Sequence, residues 1–316
     1  MLKFKRLHVS DIWKLNIKGH ANFEFVDVVV NDDTKLFIDP ILLLQSDRSV
    51  CKRAAKRIES FFVEFYRVYR DENVNDERKT NLLSHAGEQN ATKLGYGNGF
   101  NGKGNTADGL IDVFEPLELL VKKIPTMSRP EDLKVFVPNF AEDGLSDLLT
   151  NIIHDELATF TAQMAERYSI SSENKKLIEY WYWDDGLKKW VSKERMSYLY
   201  DGEELLLVPK EIVRKNYLFS AGQFLRSVII SHMVQERTDS EGNHPTKGDM
   251  EKELRDSYHN LENWLYKIVC KETEKNNGFL DEYHRGFLEN YSRAKMRSDK
   301  KQSLDEMLDS VVYEAK

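Results

Sequence analysis

The uneven distribution of hydrophobic patterns along the chain is the feature that most constrains its fold. Apolar runs typical of strands occur only before Lys210, as in NFEFVDVVV, KLFIDP, LKVFV, YWYWDDGLKKW and ELLLVPK. After Lys210 the apolar spacing is helical almost to the last residue. We therefore predict an α+β fold, with mixed strands and helices in the first two thirds and a helical C-terminal third. The first two strand-like runs predict a β-hairpin.

The length of the chain and the change of pattern near Lys210 suggest how the chain is divided into domains. A chain of 316 residues can form one large domain or two small ones. We predict an α+β core at 1–210 that includes a glycine-rich loop at 87–109. The helical region at 211–316 either folds by itself or packs on the same core.

The composition excludes several classes of protein. Two cysteines, Cys51 and Cys270, are too few for a disulfide framework or a four-thiolate zinc site. The first residues lack the apolar segment of a signal peptide, and no apolar run approaches the roughly 18 residues of a membrane helix. We therefore expect a soluble, cytoplasmic protein without a membrane partner. The net charge of −7 argues against a general binder of polyanions.

The glycine-rich segment at 87–109 is the most unusual part of the sequence. Six of the 16 glycines lie between Gly95 and Gly109. Closely spaced glycines let a backbone approach a ligand and can align N–H groups around an anion. We therefore predict a phosphate-binding loop formed by Gly97, Gly99, Gly102, Lys103 and Gly104. The segment matches neither a Walker A motif nor a dinucleotide-binding fingerprint, so a surface loop or lid is the alternative.

A strongly amphipathic helix is predicted at 144–168, and its polar side carries Asp147, Asn151 and His154. An acid, an amide and an imidazole on one side of a helix can bind a divalent cation or position a water molecule. The alternative is a solvated first turn, because the helix dipole favours acidic residues there.

Charged residues also lie at the ends of predicted strands. Glu203, Glu204 and Lys210 flank the apolar run LLLV, and Asp39 ends LFID. Metal-dependent nucleases often place acids and a lysine near the ends of core strands, where the acids hold the ion. We predict a catalytic group of Asp147, Asn151, His154, Glu204 and Lys210, with Mg²⁺ or Mn²⁺ held by Asp39 and Asp147. Turn formation is the alternative for such acids, and convergence of these residues in space would favour an enzyme.

A second helix, predicted at 49–70, carries a basic stripe. Lys52, Lys56, Arg67 and Arg70 fall within about 60° of one another around its axis. Such a stripe can contact a nucleic-acid backbone, and residues 291–301 supply a second basic patch. The alternative is an ordinary solvated helix face.

Several strings resemble an uncharacterised bacterial protein family that is associated with mobile elements and phage-defence islands. They are FIDP, LGYGNGFNGKG and GLSDLLTNII followed by ELATFT, within residues 36–215. The resemblance implies a prokaryotic defence setting and assigns no catalytic role. Two functions stay open: a metal-dependent, nuclease-like effector that acts on nucleic acid, and a non-catalytic sensor or adaptor subunit that docks a partner protein. The aromatic residues at 180–190 could anchor such a partner or belong to the core.

Overall fold

The structure is a computed structural model that describes residues 6–96, 106–238 and 241–314. Helices dominate these ranges, and the strands form two small sheets. The mixed first part is followed by a helical C-terminal region, so the predicted α+β fold is confirmed. No helix among the described residues is both long enough and apolar enough to span a bilayer.

The first two thirds of the chain hold helices of very different length. They are α1 (Val9–Ile12), α2 (Pro40–Gln45), α3 (Ser49–Arg70), α4 (Asp76–Leu83), α5 (Ala107–Phe114), α6 (Leu117–Lys123), α7 (Pro130–Phe136), α8 (Glu142–Ile152) and α9 (His154–Arg167). Short 3₁₀ turns occur at His20–Asn22, Ser172–Asn174 and Lys210–Ile212. The helix predicted at 144–168 is therefore two helices, α8 and α9, which meet at Ile153.

The C-terminal third is a set of packed helices. They are α10 (Ala221–Phe224), a π-helical turn (Leu225–Ile229), α11 (Ile230–Glu236), α12 (Lys247–Tyr258), α13 (Trp264–Lys275), α14 (Gly278–Asp299) and α15 (Leu304–Val312). Helices α10 and α13 pack on α7, and α15 packs on the turn at His20–Asn22. Buried side chains of both regions belong to one continuous hydrophobic cluster.

The strands form two antiparallel sheets. They are β1 (Phe37–Ile38), β2 (Lys175–Asp184), β3 (Lys189–Tyr200), β4 (Glu203–Glu204) and β5 (Val213–Arg214). One sheet pairs β1 with β5, and the other has the order β2-β3-β4. Strands β2 and β3 form a hairpin that turns at Gly186, where the Asp184 carboxylate accepts hydrogen bonds from the backbone N–H groups of Gly186 and Leu187 and closes the turn.

Helix α3 lies at the centre of the first part. Its apolar face, which includes Phe61, Phe65 and Tyr69, is buried against α2, α6, α8 and α9. Phe61 also meets the ring of Trp183 edge to face at 5.0 Å, which ties the β2–β3 hairpin to the helix. This packing holds the hairpin beside the junction of α8 and α9.

The predicted hairpin at 22–39 is wrong. Residues 23–30 are almost entirely buried, and their partners are distant in sequence: Phe25 bridges Pro209, and Val26 N–H donates to Val208 O at 3.0 Å. The predicted strand LKVFV is also wrong, since it lies in the fully buried helix α7. A short apolar run has the same composition in either conformation when all its sides are buried.

Candidate functional site

A polar cleft of about 690 Å³ opens beside the N-terminal end of α9. Its walls come from the turn after α4, the start of α5, the α8–α9 junction and strands β2 and β4. Three residues of the predicted catalytic group, Asn151, His154 and Glu204, line it. The break at Ile153 starts a new helix at His154, so this imidazole lies in the first turn of α9.

His154 is held at both ring nitrogens. Its Nε2 lies 3.0 Å from Glu204 Oε2, and its Nδ1 lies 3.1 Å from Arg195 Nη2. A guanidinium only donates hydrogen bonds, so Nδ1 accepts one and the imidazole proton lies on Nε2, which donates to Glu204. In this arrangement His154 has no nitrogen left to accept a proton from a substrate.

Glu204 is also fully engaged. Its Oε1 accepts from Arg195 Nη2 at 2.7 Å and from the Ser197 hydroxyl. Burial acts to raise the pKa of Glu204, but the hydrogen bond from His154, the charge of His154 in its protonated form, the charge of Arg195 and the Ser197 hydroxyl outweigh it and lower the pKa to about 2. Glu204 is therefore ionised at neutral pH, and Arg195 compensates its charge.

Three further residues, Tyr180, Asp155 and Arg57, complete this network, and none was predicted as a site residue. The Arg195 guanidinium lies over the Tyr180 ring at 3.7 Å, and the Tyr180 hydroxyl donates to Asp155 Oδ1 at 2.6 Å. Arg57 also binds Asp155, with Nη2 3.1 Å from Oδ2. Linked and mostly buried groups of this kind hold one geometry, so the network forms a rigid floor for the cleft.

The mouth of the cleft is acidic. Among the described residues, Glu88 and Glu179 line it and no lysine or arginine does, while the charge of the third lining glutamate, Glu204, is compensated by Arg195. Glu179 also stands directly opposite Glu194 in the β2–β3 register. Like charges directly opposite each other destabilise a sheet, so a cation between these two glutamates would be stabilising.

One aromatic side chain of the 180–190 cluster reaches the surface at the cleft. Trp181 is 40% exposed and stacks on His85, with ring centroids 3.9 Å apart and an angle of 10° between the rings. Tyr180, Trp183 and Trp190 are buried. Most of the cluster is therefore core, and Trp181 is the member that a ligand can reach.

Asp147 lies one helical turn before Asn151 and is buried. Asn151 Nδ2 donates to the carbonyl oxygens of Asp147 and Gly87 at 3.1 and 2.6 Å. Burial, and then the negative charges of Asp143 and Glu88, raise the pKa of Asp147 to about 9. Asp147 is therefore uncharged at neutral pH in the absence of a neighbouring cation.

The predicted metal centre is not assembled within the described ranges, where no group of three or more His, Cys, Asp or Glu side chains has the geometry to hold an ion. Asp39 caps α2 by accepting from the N–H groups of Ile41 and Leu42, and the Tyr291 hydroxyl donates to it at 2.6 Å. Lys210 Nζ lies 2.6 Å from Asp305 Oδ1, in a separate network. The structure thus groups Asn151, His154 and Glu204 near Asp147 and leaves Asp39 and Lys210 elsewhere.

The basic stripe of α3 is paired within the molecule. Lys52, Lys56 and Arg67 each contact a carboxylate, and Arg70 donates to backbone carbonyl oxygens. These four cations therefore do not form an uncompensated positive surface. The predicted phosphate-binding residues Gly97, Gly99, Gly102, Lys103 and Gly104 lie outside the described residues.

The fold and the cleft together define an α+β protein with an acidic site that is partly aromatic and large enough for a side chain or a small ligand. The chain belongs to the family DUF8370, which is described as a domain of unknown function and whose model matches residues 14–220. The matched range contains every described residue of the cleft. Searches of curated proteins and of solved structures gave no match.

Proposed function

We propose that this protein is a non-catalytic adaptor subunit of a prokaryotic, cytoplasmic defence complex, and that its cleft docks a basic segment of a partner protein. The charge of the cleft carries the proposal, since two glutamates of its described lining, Glu88 and Glu179, pair with no cation of the described residues, and no lysine or arginine lines it. Such a lining favours a cationic ligand over a phosphate group. The defence setting rests on the resemblance of the FIDP, LGYGNGFNGKG and GLSDLLTNII segments.

The strand that borders the cleft supports an extended ligand. β2 is an edge strand of the sheet β2-β3-β4. An edge strand has N–H and C=O groups directed away from its sheet, and extended segments of partner proteins pair with such groups. The partner segment would then lie along β2 and pass the mouth of the cleft.

The side chains on the outer face of the β2–β3 hairpin indicate which residues the partner segment would carry. Leu177, Glu179 and Trp181 alternate on this face, and Met196 lies directly opposite Leu177. Leu177 and Met196 are both more than half exposed, which makes them an apolar contact point. An Arg or Lys of the partner would lie between Glu179 and Glu194 and against the ring of Trp181.

The hydrogen bonding of the cleft floor favours binding over catalysis. A general base needs a free nitrogen or oxygen within reach of the proton that it removes. Both nitrogens of His154 and both oxygens of Glu204 already have partners within the protein. The separation of Asp39 and Lys210 from this group agrees with the non-catalytic alternative.

Binding of defined peptides tests the proposal. The probe is a fluorescein-labelled peptide of alternating arginine and valine, with a glutamate-for-arginine peptide as the control, and the readout is anisotropy. We expect saturable binding of the arginine peptide alone. Trp181→Ala should weaken it about 3- to 30-fold, which is the range of a cation–π contact. Glu179→Gln should weaken it too, whereas Glu166→Gln on the exposed side of α9 should not. Equal binding of both peptides, or equal effects of the two glutamine variants, would contradict the proposal.

A metal-dependent, nuclease-like effector is the second candidate, and one observation favours it. Asp147 lies near Asp143 and Glu88, and these charges together with burial raise the pKa of Asp147 to about 9. A bound cation would relieve this repulsion. Mg²⁺ is often held by one or two carboxylates and the phosphates of a substrate, so Mg²⁺ or Mn²⁺ would arrive with the nucleic acid.

Cleavage assays distinguish this candidate from the adaptor. Single-stranded DNA, duplex DNA and RNA are incubated with Mg²⁺, Mn²⁺ or EDTA. Metal-dependent cleavage that is lost in Asp147→Asn and kept in Asp112→Asn, an exposed position of α5, would establish the nuclease. Absence of cleavage, together with binding of the arginine peptide, would leave the adaptor.

A further inference from the structure

A second concave surface, of opposite charge to the cleft, runs along α14. It consists of two hollows of about 380 and 840 Å³, and Leu218 and Ala294 line both of them. Helix α14 forms a wall of each hollow. The two hollows are therefore adjacent, and together they border α14, the segment 211–218 and the start of α10. We call this surface the basic groove and define it by Arg214, Lys215, Lys247, Lys295 and Arg297.

The lining of the groove is strongly positive. Eight arginine or lysine residues line the two hollows, against Asp47 and Glu211 as acids. Glu211 already pairs with Arg48, and Asp47 pairs with Lys52. In a protein with a net charge of −7, this is a local reversal of the overall charge.

Four of the five cations that define the groove lack compensating ion pairs, and the fifth, Arg214, makes a long one with Asp39. Lys215, Lys295 and Arg297 have no carboxylate within 4.0 Å among the described side chains. Lys247 Nζ donates to neutral groups, the Ser231 hydroxyl at 2.5 Å and a backbone carbonyl. Arg214 lies over the Tyr291 ring, 4.0 Å from the buried Asp39 carboxylate.

Helix α14 arranges these cations along the groove. Arg293 and Arg297 are four residues apart and line the smaller hollow, whereas Tyr291 and Lys295 line the larger one. The stretch from residue 290 to residue 297 is about 10 Å long at 1.5 Å per residue. A nucleic-acid strand advances about 3.4 Å per nucleotide, so this stretch corresponds to about three nucleotides.

We propose that the basic groove binds the phosphate backbone of a nucleic acid. The proposal goes beyond the docking of a basic partner at the acidic cleft, because it concerns a separate surface and a ligand of opposite charge. It also differs from the interface predicted on α3, whose cations are already paired within the protein. Unpaired cations gain more from phosphate contact than paired ones, since no internal ion pair is lost on binding.

Two variants with the same change of charge test the proposal on the full chain. The groove variant is Lys215→Gln, Lys295→Gln and Arg297→Gln, all at exposed side chains. The control variant is Lys52→Gln, Lys56→Gln and Arg67→Gln on α3. Binding of labelled single-stranded DNA, duplex DNA and RNA is followed by anisotropy at salt concentrations between about 50 and 200 mM. Thermal melting confirms that both variants fold.

We expect the wild-type protein to bind with an affinity that falls as salt rises. The groove variant should lose at least about tenfold in affinity and about two to three units of the salt slope, as expected for the loss of three phosphate contacts. The α3 variant should stay within about twofold of the wild type. No binding by the wild type, or an equal loss in both variants, would overturn the proposal. Equal binding of vesicles rich in anionic lipid, with the same loss in the groove variant, would assign the groove to a membrane surface and overturn it as well.

Discussion

Replacement of Asp147 by asparagine tests the electrostatics beside the cleft. Asparagine has the shape of a protonated aspartate and keeps an oxygen that can accept a hydrogen bond. Burial and the charges of Asp143 and Glu88 raise the pKa of Asp147 from 3.8 to about 9 in the folded protein. Above about pH 5 the unfolded chain has lost this proton, whereas the folded protein keeps it. Because the unfolded state binds fewer protons, the stability of the wild type falls as pH rises towards 9.

The difference in unfolding free energy between wild type and Asp147→Asn follows from the same proton binding. One retained proton corresponds to about 1.4 kcal/mol of unfolding free energy per pH unit. Asp143 has a pKa raised to about 6 by burial and by the charges of Asp33 and Glu88, so the two acids titrate together below that pH. Between about pH 6 and pH 8, Asp147→Asn should therefore gain about 3 kcal/mol relative to the wild type.

Urea unfolding followed by tryptophan fluorescence measures this difference at each pH. The midpoints of wild type and Asp147→Asn should diverge as pH rises, with unchanged slopes of the transitions. Asp112→Asn, which removes the same charge from an exposed position of α5, should follow the wild type. Parallel profiles of wild type and Asp147→Asn would show that Asp147 is ionised at neutral pH, and would refute the reasoning.

Substitutions at Glu204, His154 and Gly95 test the cleft and its surroundings. The lowered pKa of Glu204, about 2, gives stability that is present above about pH 4 and is lost as pH falls towards 2. Glu204→Gln should therefore make the unfolding free energy fall less steeply with pH in this range. An equally steep fall in wild type and variant would contradict the lowered pKa. His154→Ala should lower the unfolding free energy by about 1–3 kcal/mol and His154→Gln by less, as measured by thermal melting, because glutamine can still donate to Glu204. Gly95→Ala should destabilise by more than about 1 kcal/mol, because Gly95 has a φ of +141° and an added Cβ would lie 2.6 Å from Asp143 Oδ1. In the double variant Gly95→Ala, Asp143→Ala the clash is absent, so only the loss that the positive φ causes should remain. A loss in the double variant equal to the sum of the two single losses would contradict the predicted contact.

The parts of the fold that depend on local pattern could be predicted from the sequence. Helix α3 follows from its amphipathic spacing, and the β2–β3 hairpin follows from two aromatic strands around Gly186. The segment at 23–30 could not be predicted, because its hydrogen-bond partners lie about 180 residues away, near Val208. Helix α7 was mistaken for a strand because its apolar run is buried on every side, which removes the periodicity that separates a helix from a strand.

The site shows the same division. Asn151 and His154 could be singled out because they lie on one side of the helix predicted at 144–168, and Glu204 because it borders an apolar strand. Arg195 was missed, although it determines the tautomer of His154. Arg195 and Ser197 share one face of β3, so a charged residue at a core-facing position was the available signal. That signal can be recognised only after the register of β3 is known.

The indole N–H signals in heteronuclear NMR spectra test the central claim, docking of a basic segment at the cleft, most directly. The sequence has five tryptophans, and Trp181→Phe assigns the signal of the exposed one. On titration with the arginine peptide, the Trp181 signal should shift and saturate. The signals of Trp183 and Trp190, whose indoles donate to Ser60 Oγ and Leu82 O in the core, should stay in place. A Trp181 signal that does not move at saturating peptide would contradict docking at this cleft.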